Sequence, residues 1–224
     1  MLEGSEDLPH ITSEGYPFIG VSAVLSLILA FSVHPYVSIP FLVLTLYFCF
    51  FFRNPQRTIE KDPSVILSPA DGTVQEVVSL EADEDEFLDG PCNKVVIFMS
   101  IFDVHVNRSP MDGIIKLQKY YCGRFRPAYK DEVGFENEHH LIGLENTKTH
   151  LRITVKQIAG ILARRIVSYV TLDDCLKQGE LYGMIRFGSC LEVVMPASVA
   201  VQVKAGEKVT GGKTVLGKIG RMSK

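Results

Sequence analysis

From residue 15 to residue 52 the chain carries no Asp, Glu, Lys or Arg. A helix that is apolar all round needs either a large core or a bilayer to cover it. His34-Pro35 divides the stretch into two runs, residues 17–33 and 36–52. Each is close to the lower limit of roughly 17 residues for a helix that crosses a membrane. Pro40 falls early in the second run, near where a helix would start. The pair reads as an apolar helical hairpin at residues 15–52. It either crosses twice or dips in and returns, and both bring the chain back to its starting side. Arg53 and Arg57 follow at once, which predicts a cytoplasmic exit. The stretch is too long for the apolar part of a secretory signal, and no basic residues precede it. The alternative is a helical pair buried inside a soluble domain.

Residues 1–14 are a polar, acidic lead, with Glu3, Glu6, Asp7 and Glu14. Residues 53–224 are long enough for a sizeable domain. Overall hydrophobic content is 46%, but the excess lies in the hairpin, so this body has an ordinary soluble composition. The net charge of −3 gives no support for a nucleic-acid partner. Cys49, Cys92, Cys122, Cys175 and Cys190 are odd in number, and none forms a C-x-x-C pair. That argues against a disulfide framework or a zinc site, and for a reducing compartment; no metal is expected.

The body reads as mainly β. Residues 65–78 suggest strand, turn and strand around Ser68-Pro69-Ala70-Asp71-Gly72, with Asp71-Gly72 as turn chemistry. Residues 81–89 form an acidic, solvated loop. An apolar strand at 94–100 leads into Asp103-Val104-His105-Val106-Asn107-Arg108. Met111-Asp112-Gly113 is a turn, and 114–121 another strand. Residues 122–140 are polar and loop-like, with Arg124, Arg126 and Lys130, and end at Asn137-Glu138-His139-His140. Strands are expected at 140–145 and 150–157, a short helix or turn at 159–166, and a Gly- and Val-rich hairpin at 199–219. That hairpin and residues 68–78 could pack together. The fold expected is a compact β-rich catalytic domain with barrel- or sandwich-like, lipoyl-like hairpins.

Arg186-Phe187-Gly188-Ser189-Cys190 sits just before an apolar strand. Gly188 allows backbone angles closed to other residues. A serine behind it can swing its hydroxyl onto the glycine carbonyl. An N-to-O acyl shift then gives an ester that can eliminate, breaking the chain between Gly188 and Ser189. Gly-Ser is also a common turn dipeptide, and an ordinary turn is the competing reading.

Several stretches occur together in one order: Phe51-Phe52-Arg53-Asn54-Pro55, Ser68-Pro69-Ala70-Asp71-Gly72, Phe102-Asp103-Val104-His105-x-Asn107-Arg108-x-Pro110, Asn137-Glu138, Gln157-x-Ala159-Gly160-x-x-Ala163-Arg164-Arg165-Ile166 and Phe187-Gly188-Ser189. The set, over about residues 45–220, resembles the short-form phosphatidylserine decarboxylase proenzymes and their archaetidylserine decarboxylase-like relatives. The resemblance implies self-cleavage into residues 1–188 (the β chain) and 189–224 (the α chain), held as a heterodimer, with a higher oligomer of that heterodimer as the alternative. It implies a covalent pyruvoyl cofactor made from Ser189, which takes the substrate amine as a Schiff base and serves as electron sink, as pyridoxal phosphate does elsewhere. The implied substrate is a phospholipid, and the implied place is the cell membrane, with the catalytic domain on the cytoplasmic face.

His105 falls on the family's Asp-x-His motif and is the candidate proton donor, since histidine titrates near neutrality. A histidine that ties down a turn is the competing role. Longer bacterial relatives have a second histidine three residues on, within an Asp-His-Ser relay; here Arg108 stands there. The base for Ser189 is then His105, or His139 or His140 from the loop. Asp71 matches the relay's acid, or is a turn residue. Arg53, Arg57, Arg108, Arg124, Arg126 and Lys130 are candidates for the lipid phosphate, arginine being suited to bidentate contacts. Two other classes remain. A lipoyl- or biotinyl-like binding module would need a modifiable lysine at a hairpin tip, and no Met-Lys pair stands there. A membrane-anchored hydrolase using Ser189 would need a G-x-S-x-G elbow, which is missing.

Overall fold

The computed structural model describes residues 10–82, 84–123, 137–160, 165–186 and 189–220. They form two compact units, divided between Arg57 and Thr58.

The first unit is the helical hairpin, α1 (Tyr16–Ser32) and α2 (Pro35–Phe51). Proline opens both helices, where its fixed φ suits the first turn and its missing N–H costs nothing. α2 therefore begins at Pro35, with His34 Nδ1 accepting the Tyr36 N–H at 3.4 Å. This corrects the expected start near Pro40, which lies inside the helix. The small polar residues face inward. Ser22, Ser26 and Ser38 are buried. Thr45 Oγ1 donates to Ser22 Oγ at 2.9 Å, and Ser26 Oγ to the Ser38 carbonyl at 3.2 Å. Val21, Leu27, Phe31 and Leu46 point outward, with Phe31 89% exposed. A polar seam inside and an apolar surface outside is the packing of helices solvated by hydrocarbon. Ser13–Ser32 is long and apolar enough to cross a membrane, while Pro35–Phe51 is shorter. The pair is compatible with membrane association. Arg53 closes α2, with Nη1 donating to the Phe50 carbonyl at 2.6 Å and the guanidinium 3.8 Å from the Phe50 ring centroid. A cation is favoured at a helix C-terminus.

The second unit is mainly β. Its strands are β1 (Val65–Leu67), β2 (Gly72–Leu80), β3 (Cys92–Met99), β4 (Val106–Arg108), β5 (Gly113–Tyr121), β6 (His139–Glu145) and β7 (Arg152–Ala159). They continue with β8 (Ile166–Ser168), β9 (Cys175–Leu176), β10 (Leu181–Ile185), β11 (Ser189–Pro196), β12 (Val199–Val201), β13 (Lys208–Val209) and β14 (Val215–Ile219). An eight-stranded antiparallel sheet runs β13–β2–β3–β11–β7–β6–β5–β9. Two three-stranded sheets, β1–β14–β12 and β4–β10–β8, accompany it. Alternation along each strand sends every second side chain to one face. Ile97 and Met99 of β3, Leu191 and Val193 of β11, and Val155 of β7 share one core with Ile66 and Leu216 of one small sheet and Ile166, Tyr182 and Ile185 of the other. Both small sheets thus pack on the same face of the large one. All five cysteines are free.

The expected hairpin at 65–78 is not formed: β1 pairs with β14 and β2 with β13. At 199–219 the two ends do pair antiparallel, β12 with β14, with β13 between them reaching across to β2, so the two stretches interleave. The turn between β1 and β2 is held open from outside. The Ser68 N–H donates to the Thr214 carbonyl, and the Gly212 N–H to the Ser68 carbonyl, both at 2.7 Å. Of the expected helix at 159–166, residues 161–164 lie outside the described residues, residue 159 ends β7 and residue 166 begins β8.

Gly72 opens β2 against β3. A Cβ there would stand 2.3 Å from the Phe98 carbonyl oxygen and 2.9 Å from Ile97 Cγ2. Gly72→Ala is expected to destabilise the protein by about 1–3 kcal/mol through overpacking. An unchanged midpoint in a denaturant titration would contradict this close approach.

Candidate active site

Ser189 is the first residue of β11. Met99 pairs with it on one side and Ala159 on the other, the last residues of β3 and β7. It is fully buried, on the same inward face as Leu191 and Val193. Its Oγ has no hydrogen-bond partner among the described residues. Leaving a buried hydroxyl unsatisfied costs about 1–3 kcal/mol, so such a group calls for a reason. Cys190 beside it faces the opposite side with Val96 and Ile158. Burial, with Glu192 adding to it, pushes its thiol up to about 12, which makes it a poor nucleophile.

The segment leading to Ser189 is tethered at both ends to one short stretch. The Ile185 N–H, at the end of β10, donates to the His105 carbonyl at 3.3 Å. Ser189 pairs with Met99. The chain thus leaves β10 beside His105 and enters β11 beside Met99, which brings His105 to the Ser189 end of the sheet. Gly188 lies outside the described residues.

His105 is fully buried just before β4. Its Nδ1 lies 3.0 Å from the Asp103 carbonyl oxygen. A carbonyl only accepts, so the ring proton sits on Nδ1, and Nε2 is the nitrogen that can take up or release a proton. Asp103 in turn closes a tight turn, with Oδ2 accepting the Ser100 N–H at 2.8 Å.

Asp71 and Arg108 meet around a different turn. Asp71 Oδ1 accepts the Gly211 N–H at 2.8 Å. The Arg108 N–H donates to the Pro69 carbonyl at 2.8 Å, and its Cδ lies 3.3 Å from where a Gly212 Cβ would be. Arg108 is 5% exposed, and Nη1 donates to the Gly179 carbonyl at 3.2 Å. A continuous register Thr73–Phe98–Cys190 links β2, β3 and β11. The Asp71 turn therefore lies at the Ser189 end of the sheet, two strand spacings or about 10 Å away in the backbone. Arg124, Arg126 and Lys130 lie outside the described residues.

The strand expected at 140–145 is β6, which starts one residue earlier, so His139 and His140 open it rather than end a loop, and alternation sends them to opposite faces. His139 faces outward, stacked on Tyr121 at 4.5 Å, and its Nδ1 lies 2.8 Å from the Asn137 carbonyl. A cavity of about 650 Å³ opens on that outer face, lined by His139, Lys156 and Glu192 among others. It lies on the far side of the sheet from the Ser189 side chain.

His140 faces inward and joins a chain of side-chain bonds. Gln118 Nε2 donates to the Val170 carbonyl at 2.9 Å and lies 3.1 Å from His140 Nε2. His140 Nδ1 lies 2.9 Å from Gln157 Oε1. Gln157 Nε2 donates to Asn107 Oδ1 at 2.7 Å. The Val170 carbonyl fixes the sense of the whole chain. It turns the Gln118 NH2 toward His140, so His140 Nε2 accepts and Nδ1 carries the proton. Gly183, paired with Asn107, brings β10 close to Gln157: a Cβ there would lie 3.3 Å from Gln157 Nε2 and 2.4 Å from the Val167 carbonyl oxygen. Asn137 and Glu138 pin the strand beside Ser189, with Asn137 Nδ2 donating to the Ala159 carbonyl at 2.7 Å and the Ala159 N–H to the Glu138 carbonyl at 2.9 Å. Sequence reasoning assigned no role to Gln118, Asn107 or Gln157. The available signal was a glutamine at an inward position of the apolar run Ile153, Val155, Gln157, Ala159.

Burial holds the His140 pKa below its ordinary value, with the bond to Gln157 opposing. The Gln118 NH2 facing Nε2 also disfavours a second ring proton. The Tyr120 ring lies 6.3 Å from the His140 ring, and its hydroxyl is bonded to Glu138. With the folded pKa below the unfolded one, the unfolded chain binds more protons between the two. The stability His140 contributes is thus full above about pH 6.5, the unperturbed value, and is lost as pH falls toward the folded pKa. In a comparison of unfolding free energy against pH, wild type is expected to lose more on the acid side than His140→Asn. Parallel profiles would refute the locked neutral tautomer.

The family model described as phosphatidylserine decarboxylase matches residues 44–217. A phosphatidylserine decarboxylase proenzyme of Carboxydothermus hydrogenoformans is 46% identical over 202 residues, covering 90% of this chain and 91% of the relative. Proteins of the same name from Symbiobacterium thermophilum and Geobacter sulfurreducens are 42% and 43% identical. The first covers 94% of this chain and 96% of the relative, the second 95% and 98%.

Proposed function

The chain belongs to the phosphatidylserine decarboxylase family, and from that premise we propose that it converts phosphatidylserine to phosphatidylethanolamine after cutting itself between Gly188 and Ser189. The observation that carries this reading is the buried Ser189 hydroxyl, which has no partner among the described residues. The name proenzyme, borne by the relatives, supports a processed chain.

Position 189 fits a pyruvoyl group. It is dry, it opens a strand bonded on both sides, and its own oxygen is spent on no other task. Such a group supplies a carbonyl that takes up the substrate amine and accepts the electron pair left behind by carbon dioxide. The chain's own residues do the rest. Ser189 Oγ attacks the Gly188 carbonyl carbon, turning the amide into an ester, and elimination then breaks the chain there. His105 Nε2 takes the serine proton, and in turnover it delivers a proton to the product carbon. The Asp103 carbonyl holds His105 in the tautomer this needs. Asp71 and Arg108 fix the turn at that end of the sheet, and the burial of Arg108 supports an organising role better than direct contact with a lipid phosphate. Arg124 and Arg126 are proposed for the phosphate. The products are residues 1–188 and 189–224, which remain together as a heterodimer. The apolar hairpin supports a place at the cell membrane, and Arg53 and Arg57 after it support the cytoplasmic face.

The intact mass of freshly purified wild type tests the reading directly. Two chains divided before Ser189 are expected, the smaller with a pyruvoyl-terminal mass, and Ser189→Ala should give one whole, inactive chain. A cleaved, active Ser189→Ala protein would sink the mechanism. His105→Asn is expected to slow the cut at least about 100-fold, the usual scale for a lost general base, and to lower turnover on the same scale in whatever fraction is cut. Wild-type turnover by that variant would remove His105 from the chemistry.

A further inference from the structure

Asn107 lies in the middle of β4, fully buried. Its Oδ1 accepts from Gln157 of β7, and its Nδ2 points to Met99 Sδ of β3 at 3.9 Å. β7 and β3 are the two strands that flank β11. Gln157 is paired with Leu191, and Met99 with Ser189. The amide therefore lies across the inner side of β11, between the levels of Leu191 and Ser189. A thioether is a weak acceptor, and 3.9 Å is long even for sulfur. The NH2 end of Asn107 is thus nearly unspent, in the same dry corner as the Ser189 hydroxyl. A buried donor and a buried acceptor without good partners are each costly, and the cost is relieved when they meet.

The orientation of the amide is imposed from three strands away. The Val170 carbonyl aligns Gln118, Gln118 sets the His140 tautomer, and His140 turns Gln157 so that its NH2 faces Asn107. Asn107 must then present Oδ1 to Gln157 and its NH2 toward the β3–β11 corner.

We propose that Asn107 donates to Ser189 Oγ during self-cleavage, and that Gln118, His140 and Gln157 are positioning residues that keep its NH2 end turned to that oxygen. This rests on the cut before Ser189. In the first step Oγ gives its proton to His105 Nε2 and its lone pair bonds to the Gly188 carbonyl carbon. The Gly188–Ser189 C–N bond breaks, and the nitrogen takes up a proton, leaving an ester. In the second step a base removes the Ser189 Cα proton as the Cβ–Oγ bond breaks. The electron pair leaves on Oγ, now part of the Gly188 carboxylate. Negative charge gathers on Oγ at the beginning and at the end, so one fixed donor there lowers both barriers.

The test follows cutting by intact mass in full-length, detergent-purified chains, with Ser189→Ala as the whole, folded reference for thermal unfolding. Asn107→Leu is expected to be cut at least about tenfold more slowly than wild type, the effect of one lost hydrogen bond at a transition state. Gln157→Leu, which leaves Asn107 present but unaligned, should slow cutting at least about threefold. In the Asn107→Leu background it should add nothing, because its action runs through Asn107. A purely structural loss would add. A folded Asn107→Leu chain cut at the wild-type rate overturns the proposal. If that variant does not melt like the reference, Gln157→Leu decides alone, and a wild-type rate there overturns it. A wild type that stays whole brings down the underlying cut site instead, and this inference with it.

Discussion

The double clamp on the first residue of β11 is the constraint on which the rest depends. Ser189 is held by Met99 on one side and Ala159 on the other, and β11 keeps both neighbours for several residues beyond. A strand hydrogen-bonded along both edges would stay in place if the peptide bond before it were broken. The interleaving of the C-terminal strands adds to this. β14 is bonded to β1 on one side and β12 on the other, and β13 adds to the edge of β2. A C-terminal chain beginning at Ser189 would therefore be woven into two sheets that each also contain strands of the N-terminal chain. Its apolar residues, Leu191, Val193, Met195, Val199 and Leu216 among them, lie in the common core. The cost of exposing them holds the two pieces together.

Both units place polar groups inside, for different reasons. In the hairpin the serines and a threonine face each other because the outer surface is apolar. In the β unit a line of amides and one imidazole crosses beneath the sheet, half-buried at Gln118 and buried from His140 through Gln157 to Asn107. In a low dielectric such a line is strong when every member is matched, and it leaves little room for alternative orientations. The sense of the line is fixed by one backbone carbonyl, that of Val170. It ends at a thioether, and this weak final link beside Ser189 is where the network departs from full satisfaction.

Much of this was legible in the sequence. The uncharged stretch gave the hairpin, because an all-round apolar helix has few uses. The ordered motifs pointed to Ser189, His105 and Asp71. What was illegible depends on distant partners. Residues 65–78 look like a hairpin locally, since the turn residues are there, but β1 and β2 take their partners from the distant C-terminal strands β14 and β13. His139 and His140 are adjacent in sequence and look interchangeable. Only the register of β6 against β7 assigns one to the outer cavity and the other to the interior. Pro40 misled because a proline closer to the true start, Pro35, already filled the favoured position.

The same geometry bears on which group can serve as the base at Ser189. Arg108 stands where longer relatives have a histidine, but a guanidinium does not give up its proton in a protein. His139 is turned to the other face of the sheet. His140 faces inward, yet its two nitrogens are both committed, one accepting from Gln118 and one donating to Gln157, and burial disfavours its charged form. His105 differs from both. Its Nδ1 is tied to the Asp103 carbonyl, which fixes the tautomer, and its backbone carbonyl accepts from Ile185 at the end of β10, the strand that precedes Ser189. The arginine at the second histidine's place therefore leaves His105 as the base proposed for Ser189, with the turn around Asp71 proposed to hold the site in shape.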